Sequence, residues 1–179
     1  MAELSRLSAT DMHQVLRRTP KYVRTLLEQN SARAFLAGGY IRALIAGEPP
    51  SDIDIFGPDK ETLERWAKDI VVEASAVARL HETKNAFTVI FSNGRKPLQF
   101  IYRWTYTDVE RLVGEFDFTI ARAAIWHDGI QWQSACDPRF YADLAARRLV
   151  YCAPKRSEDA GGSLMRVRKF LSRGYRIAP

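Results

Sequence analysis

The chain has 179 residues, is 46% hydrophobic, contains 10 Gly and 8 Pro and carries a formal net charge of +6, a composition that excludes disordered, collagenous and disulfide-stapled classes. At this length a single domain buries roughly 70% of its unfolded surface without staples. Cys136 and Cys152 show no Cys-x-x-Cys spacing and His13, His81 and His127 are scattered, which points away from a zinc cluster or a disulfide framework. No apolar run approaches the ~18 residues of a membrane span and the first residues hold no apolar leader segment, so a cytoplasmic protein with no membrane partner is expected.

Charge is unevenly spread. Residues 147 to 179 hold nine Lys or Arg against Glu158 and Asp159, so the excess of positive charge belongs to the last fifth of the chain. That segment reads either as a surface for a polyanion or as a solvated helix face.

In chain order, Ser8 to Asp11 supply helix-start chemistry for a helix with Met12, Val15 and Leu16 on one face, and Pro20 restarts a second with Tyr22, Val23, Leu26 and Leu27. Arg17, Arg18, Lys21 and Arg24 read as solvated. From Asn30-Ser31 the chain enters the apolar run Ala34 to Ala37, which ends at Gly38-Gly39. Ile41, Leu44 and Ile45 then recur at helical spacing, so a strand is predicted to turn directly into a helix whose first-turn N–H groups suit a phosphate. Gly47 and Pro49-Pro50 stop that helix. In Asp52-Ile53-Asp54-Ile55-Phe56, period-two alternation places Asp52 and Asp54 on one strand face and Ile53 and Ile55 on the other, against the core. Alone, Asp-x-Asp is a common solvated strand face. Beside a phosphate cradle, the two carboxylates suit a hard divalent cation shared with a nucleoside triphosphate.

Beyond this cassette, Gly57-Pro58-Asp59 turns the chain and Asp59 caps a helix to about Ile70 with Leu63, Trp66 and Ile70 inward. Residues 75 to 82 and 86 to 91 read as strands, and Asn93-Gly94 as a hairpin turn into the strand Leu98 to Arg103. Thr107-Asp108 starts a short helix carrying Val109, Leu112 and Val113. Trp104, Trp126, Trp132, Phe140 and Tyr141 read first as core and second as base-stacking surfaces, and the alternations Ala124/Trp126 and Ile130/Trp132 resemble buried hairpin positions. On a helix from about Ser163 to Arg173, Leu164, Val167 and Leu171 form an apolar docking side. Arg166, Lys169 and Arg173 form an outward basic stripe bordering the site.

Strand, Gly-Gly, helix, break and Asp-x-Asp strand, in that order, resemble the signature of the polymerase β-type nucleotidyltransferase superfamily. The resemblance is nearest to the head domain of CCA-adding tRNA nucleotidyltransferases and bacterial poly(A) polymerases. Gly38-Gly39-Tyr40-Ile41-Arg42-Ala43-Leu44-Ile45-Ala46-Gly47 is similar to the first motif of that family, and Phe116-Asp117-Phe118-Thr119-Ile120 to its Arg-Asp-Phe-Thr-Ile segment. Leu164 to Tyr175 resembles its neck-opening helix, so the likeness spans about residues 34 to 176. It implies an α+β nucleotidyltransferase fold, a mixed and mostly antiparallel sheet flanked by helices, with a neck-like C-terminal helix. The implied organisation is N-terminal helices over 1–30, a head domain over 31–152 and a basic linker and helix over 153–179, in one compact domain. The implied site has Asp52 and Asp54 as catalytic residues and ligands of Mg²⁺ or Mn²⁺, and Gly38, Gly39, Arg42, Asp117 and Arg166 on the nucleotide.

Departures from the family pattern shape the expected function. Gln99 stands where the family has its third acidic residue, Ala43 replaces the acidic partner of Arg42, and Glu115-Phe116 replaces Arg-Arg before Asp117. The base-templating Glu-Asp-x-x-Arg falls near Asp159 to Ser163 without its arginine, so CCA addition is not expected. Two classes follow: a nucleotidyltransferase moving a nucleoside monophosphate from an NTP to a hydroxyl, with RNA or tRNA among the acceptors, or a nucleotide- or RNA-binding module that retains the fold.

Overall fold

The computed structural model of the protein describes residues 3–152 and 160–177. Two amphipathic helices open the chain, α1 (Ala9–Arg18) and α2 (Lys21–Gln29). Ser8 caps the first by accepting from the Asp11 N–H, and Pro20 is the cap residue of the second. Strand β1 (Phe35–Ala37) passes at Gly38 into α3 (Gly39–Ile45), as the apolar run and its glycines predict. Strand β2 (Ile53–Phe56) returns antiparallel to β1, and Asp59 caps α4 (Lys60–Ala74) through the Thr62 N–H at 2.7 Å. This helix runs four residues past the expected Ile70, because Val71 and Ala74 still pack on the core.

The segment expected as a strand from 75 begins instead with a 3-10 turn, Ser75 sitting at φ 54°, and β3 covers Ala78–Glu82. Strands β4 (Ala86–Phe91) and β5 (Leu98–Ile101) pair antiparallel as expected, and β5 lies parallel to β2. A short helix α5 (Val109–Gly114), capped by Asp108, precedes the hairpin of β6 (Ala123–His127) and β7 (Trp132–Cys136). Ile130 is 91% exposed at the hairpin tip rather than in a strand, since the turn at Asp128 and Gly129 takes that position. Then follow α6 (Phe140–Ala145), β8 (Arg148–Leu149), α7 (Ala160–Leu171) and β9 (Arg176–Ile177), the last parallel to β8.

The seven-stranded sheet has the order β3-β4-β5-β2-β1-β6-β7, with every neighbouring pair antiparallel except β2 and β5. Alternation divides its faces. Leu36, Ile53, Ile55, Phe87, Val89, Leu98, Phe100 and Ile125 enter the main core with residues of α1 to α4. Phe35, Ala37, Phe56 and Ala124 face the other way, into a smaller cluster with Leu112 and Val113 of α5. Asp52 and Asp54 share the parity of Phe56 and leave the main core, as alternation predicts. No helix among the described residues is long and apolar enough to cross a membrane.

Beneath the end of β2, Gly57 lets the Trp66 ring approach so closely that an added Cβ would lie 2.8 Å from it. Gly57→Ala should therefore destabilise the fold by ~1–3 kcal/mol through overpacking, read as a lower midpoint in urea denaturation.

Candidate active site

A cavity of about 300 Å³ opens on the sheet face opposite the main core. Its floor is Asp52 and Asp54, approached over Pro50 and Ser51. Gly39, Arg42 and Ala43 of α3 line one side, and Ile101, Trp104 and Tyr106 the other. Leu112 of α5 and, just after that helix, Glu115, Phe116 and Asp117 continue the wall. Arg166, Lys169, Phe170 and Arg173 close it from the C-terminal segment. The sequence-predicted residues Gly39, Arg42, Asp52, Asp54, Asp117 and Arg166 therefore meet in one cavity. Gly38 does not line it. Its φ is 86°, and an added Cβ would lie only 3.0 Å from the Phe116 ring, so Gly38 serves the sharp strand-to-helix turn.

The two floor carboxylates differ. Oδ1 of Asp54 is buried and has no hydrogen-bond partner among the described residues. Burial pushes the Asp54 carboxyl up from 3.8 to about 7, the neighbouring charge of Asp52 pushes the same way, and Lys169 opposes both. Register places Gln99 beside Asp54 on the parallel strand, and Thr88 and His81 continue that row across β4 and β3. The position next to Asp54 is thus a neutral amide. Among the described residues no three His, Cys, Asp or Glu side chains gather as a metal cluster. Two carboxylates, one with an orphaned buried oxygen, do fit a divalent cation that draws its remaining ligands from a substrate or water.

Arg42 is 2% exposed, and its Nη1 donates to Glu48 Oε2 at 2.6 Å and to the Tyr175 hydroxyl at 3.1 Å. Its guanidinium also lies over the Phe170 and Tyr175 rings, 5.2 and 5.7 Å from their centroids. Glu48, which the sequence reading passed over, supplies the acid that Ala43 lacks. It lies beyond the helix-stopping Gly47, where helical spacing gives no hint of contact. Burial pushes the Glu48 carboxyl up, but the hydrogen bond and charge of Arg42, with Tyr175 and Arg173, outweigh it and hold the group below its ordinary value. Arg122 is a second missed residue. It donates to the carbonyls of Gly114, Phe116 and Cys152 at 2.7 to 2.9 Å and pairs with Asp137, fixing the loop that presents Asp117.

The C-terminal helix keeps only part of its predicted docking side. Val167 packs on the core as expected, but Leu164 and Leu171 are 67% and 45% exposed, and Phe170 completes the docking by meeting Phe118 and Tyr175 edge to face. The basic stripe borders the cavity as expected, with Arg166 and Lys169 exposed on its rim and Arg166 Nε donating to Asp117 Oδ2 at 2.7 Å. The helix ends at Leu171, so Arg173 sits in the following turn, 3.9 Å from Glu48. Asp159, where the templating motif was expected to begin, lies outside the described residues.

Removing Arg42 would leave the half-buried Glu48 charge and the Tyr175 hydroxyl without their partner. Arg42→Met should cost about 3 kcal/mol, with part recovered in the Arg42→Met/Glu48→Gln double variant, as read from urea unfolding. Asp54 gives a pH signature of the opposite kind. An acid whose folded pKa exceeds its unfolded value contributes its stability below the unfolded value and loses it as pH rises through the folded one. In metal-free buffer wild-type stability should therefore fall between about pH 4 and pH 7. Asp54→Asn should flatten that fall and melt higher than wild type at neutral pH, measured by thermal denaturation across a pH series.

Solved structures with the same architecture share little sequence. The Thermotoga maritima CCA-adding enzyme complexed with tRNA aligns with a TM-score of 0.69 at 17% identity, over 100% of this chain and 44% of that one. A CCA-adding enzyme in complex with ATP aligns at 0.70 and 17%, over 100% and 43%. A tRNA nucleotidyltransferase complexed with a primer tRNA and an incoming ATP analogue aligns at 0.61 and 17%, over 82% and 43%. This chain thus spans less than half the length of these relatives, and the likeness establishes the polymerase β-type nucleotidyltransferase fold. No curated protein matches. A family profile described as Gabija anti-defense 2 family protein matches residues 7–147, most of the chain, and the protein therefore belongs to the Gabija anti-defense 2 family.

Proposed function

We propose that the protein is a metal-dependent nucleotidyltransferase that moves a nucleoside monophosphate from an NTP to a hydroxyl acceptor, without CCA-type templating. The observation that carries this reading is the orphaned, buried Asp54 oxygen beside Asp52 on the floor of a cavity with cationic walls. Asp52 and Asp54 would hold Mg²⁺ or Mn²⁺. Such an ion, when bound, neutralises the charge that develops on the leaving pyrophosphate. Gly39 and the α7 side of the cavity receive the phosphates, and Asp117, held by Arg166, lies where it can order the ribose. In the transfer, an acceptor O–H loses its proton to water as the new O–P bond forms. The bond between the α-phosphorus and the bridging oxygen breaks, and pyrophosphate departs.

CCA-adding enzymes act on tRNA, and the structural kinship supports an NTP as donor and an RNA hydroxyl among the acceptors. The family description adds a setting, the countering of the Gabija defence system, in which the acceptor would be a component of that system. Gln99 in register with Asp54 favours a second reading, a nucleotide-binding module without turnover, because an amide oxygen is a weaker, uncharged ligand for a hard cation and cannot accept a proton.

One assay separates the two. With each NTP, Mg²⁺ or Mn²⁺ and candidate acceptors, wild type should release pyrophosphate. Asp52→Asn and Asp54→Asn should each lower the rate by at least about a hundredfold while remaining folded. Gln99→Glu should lower the Mg²⁺ requirement. Full activity in either Asn variant would sink the metal assignment, and nucleotide binding without pyrophosphate release would establish the binding module.

A further inference from the structure

Three cations of the C-terminal segment, Arg166, Lys169 and Arg173, line the cavity facing the carboxylate floor. Two of them are matched within the protein. Arg166 pairs with Asp117 at 2.7 Å, and Arg173 lies 3.9 Å from Glu48, which also holds Arg42. Lys169 makes no ion pair within 4 Å among the described residues, and its ammonium acts instead through space on Asp54. Its placement is not left to a loose helix. The next residue, Phe170, is 7% exposed and wedged against Phe118, Tyr175 and the Arg42 guanidinium, so α7 is fixed one position from Lys169.

The floor opposite is short of charge. With Gln99 neutral beside Asp54, the floor itself carries two carboxylates, Asp52 and Asp54, which together match the charge of one divalent cation. A triphosphate entering such a site brings more negative charge than that ion neutralises, and the remainder must meet a protein cation not already committed. Building on the nucleotidyl-transfer reading, we propose that Lys169 is the phosphate-binding residue of this cavity, holding the triphosphate of the incoming nucleotide against the Asp52–Asp54 floor. A lysine suits this role better than the neighbouring arginines, whose planar forks are engaged by carboxylates. Its point charge on a flexible stem can follow the phosphates as pyrophosphate leaves.

The test uses inorganic tripolyphosphate as probe, so that base and sugar play no part, and a single-stranded RNA oligonucleotide as control. Titration calorimetry on the full chain, with and without Mg²⁺, should show tripolyphosphate binding that weakens about tenfold in Lys169→Gln, the loss of one charge-assisted contact. Lys169→Arg should stay near wild type, and RNA binding should be unchanged in both. Lys169 is exposed, so neither substitution opens the core, and melting curves check this. The proposal is overturned if wild type does not bind tripolyphosphate, if Lys169→Gln binds it as well as wild type, or if Lys169→Gln loses RNA binding and keeps tripolyphosphate. Pyrophosphate release separates this from the transfer reading. Turnover with unchanged KM in Lys169→Gln would remove the phosphate site and leave the transferase, whereas Lys169-dependent tripolyphosphate binding without turnover would leave the phosphate site and remove the transferase.

Discussion

The site depends on one buried cation. Arg42 sits at 2% exposure on α3 and draws together Glu48 from the following loop, Tyr175 from beyond α7 and the Phe170 ring. A guanidinium in so dry a place is tolerated only because a carboxylate, a hydroxyl and two aromatic faces receive it. The result is mechanical. The helix bearing the cavity's cations is joined to the helix that leaves the glycine turn, so both walls keep one spacing around the carboxylate floor.

Electrostatics within the cavity follow from that geometry. Acidic groups lie on the floor and far wall, at Asp52, Asp54, Glu115 and Asp117, and basic groups on the α7 side. Most are paired, and the pairing is uneven. The Asp54 carboxyl, pushed up to about 7 by burial and by Asp52, is the strained member, and a cation at the floor would relieve it. Stability is being held back at the place where chemistry is expected, a pattern typical of functional sites.

Much of the fold was legible in the sequence because its signals are local. The Ser8, Asp59 and Asp108 caps, the Gly38 turn and the Ile53/Ile55 alternation each depend on neighbours a few residues away. Facing of the Asp pair followed from the same alternation. What stayed hidden was long-range. Glu48 meeting Arg42 and Tyr175, Arg122 collecting three loop carbonyls, and Phe170 rather than Leu164 or Leu171 docking α7 are outcomes of tertiary packing. An apolar stripe on a helix wheel says that one side can dock. Here Val167 docks as the stripe predicts, while the adjacent Phe170 takes the place of Leu164 and Leu171 against the core.

The tie between Arg42 and Tyr175 spans 133 positions of the sequence. Contacts that close so long a stretch carry the full entropic cost of loop closure before any attraction is gained, and they tend to form after shorter-range pairings. The β1–α3–β2 unit, by contrast, assembles from residues within some twenty of one another. The acidic floor therefore rests on pairings close in sequence, and the cationic wall on a contact that joins distant parts of the chain. The two parts are thus separable: local loosening of α7 would uncover the Asp52 and Asp54 carboxylates and remove the cations that face them, with the β1–α3–β2 unit left standing.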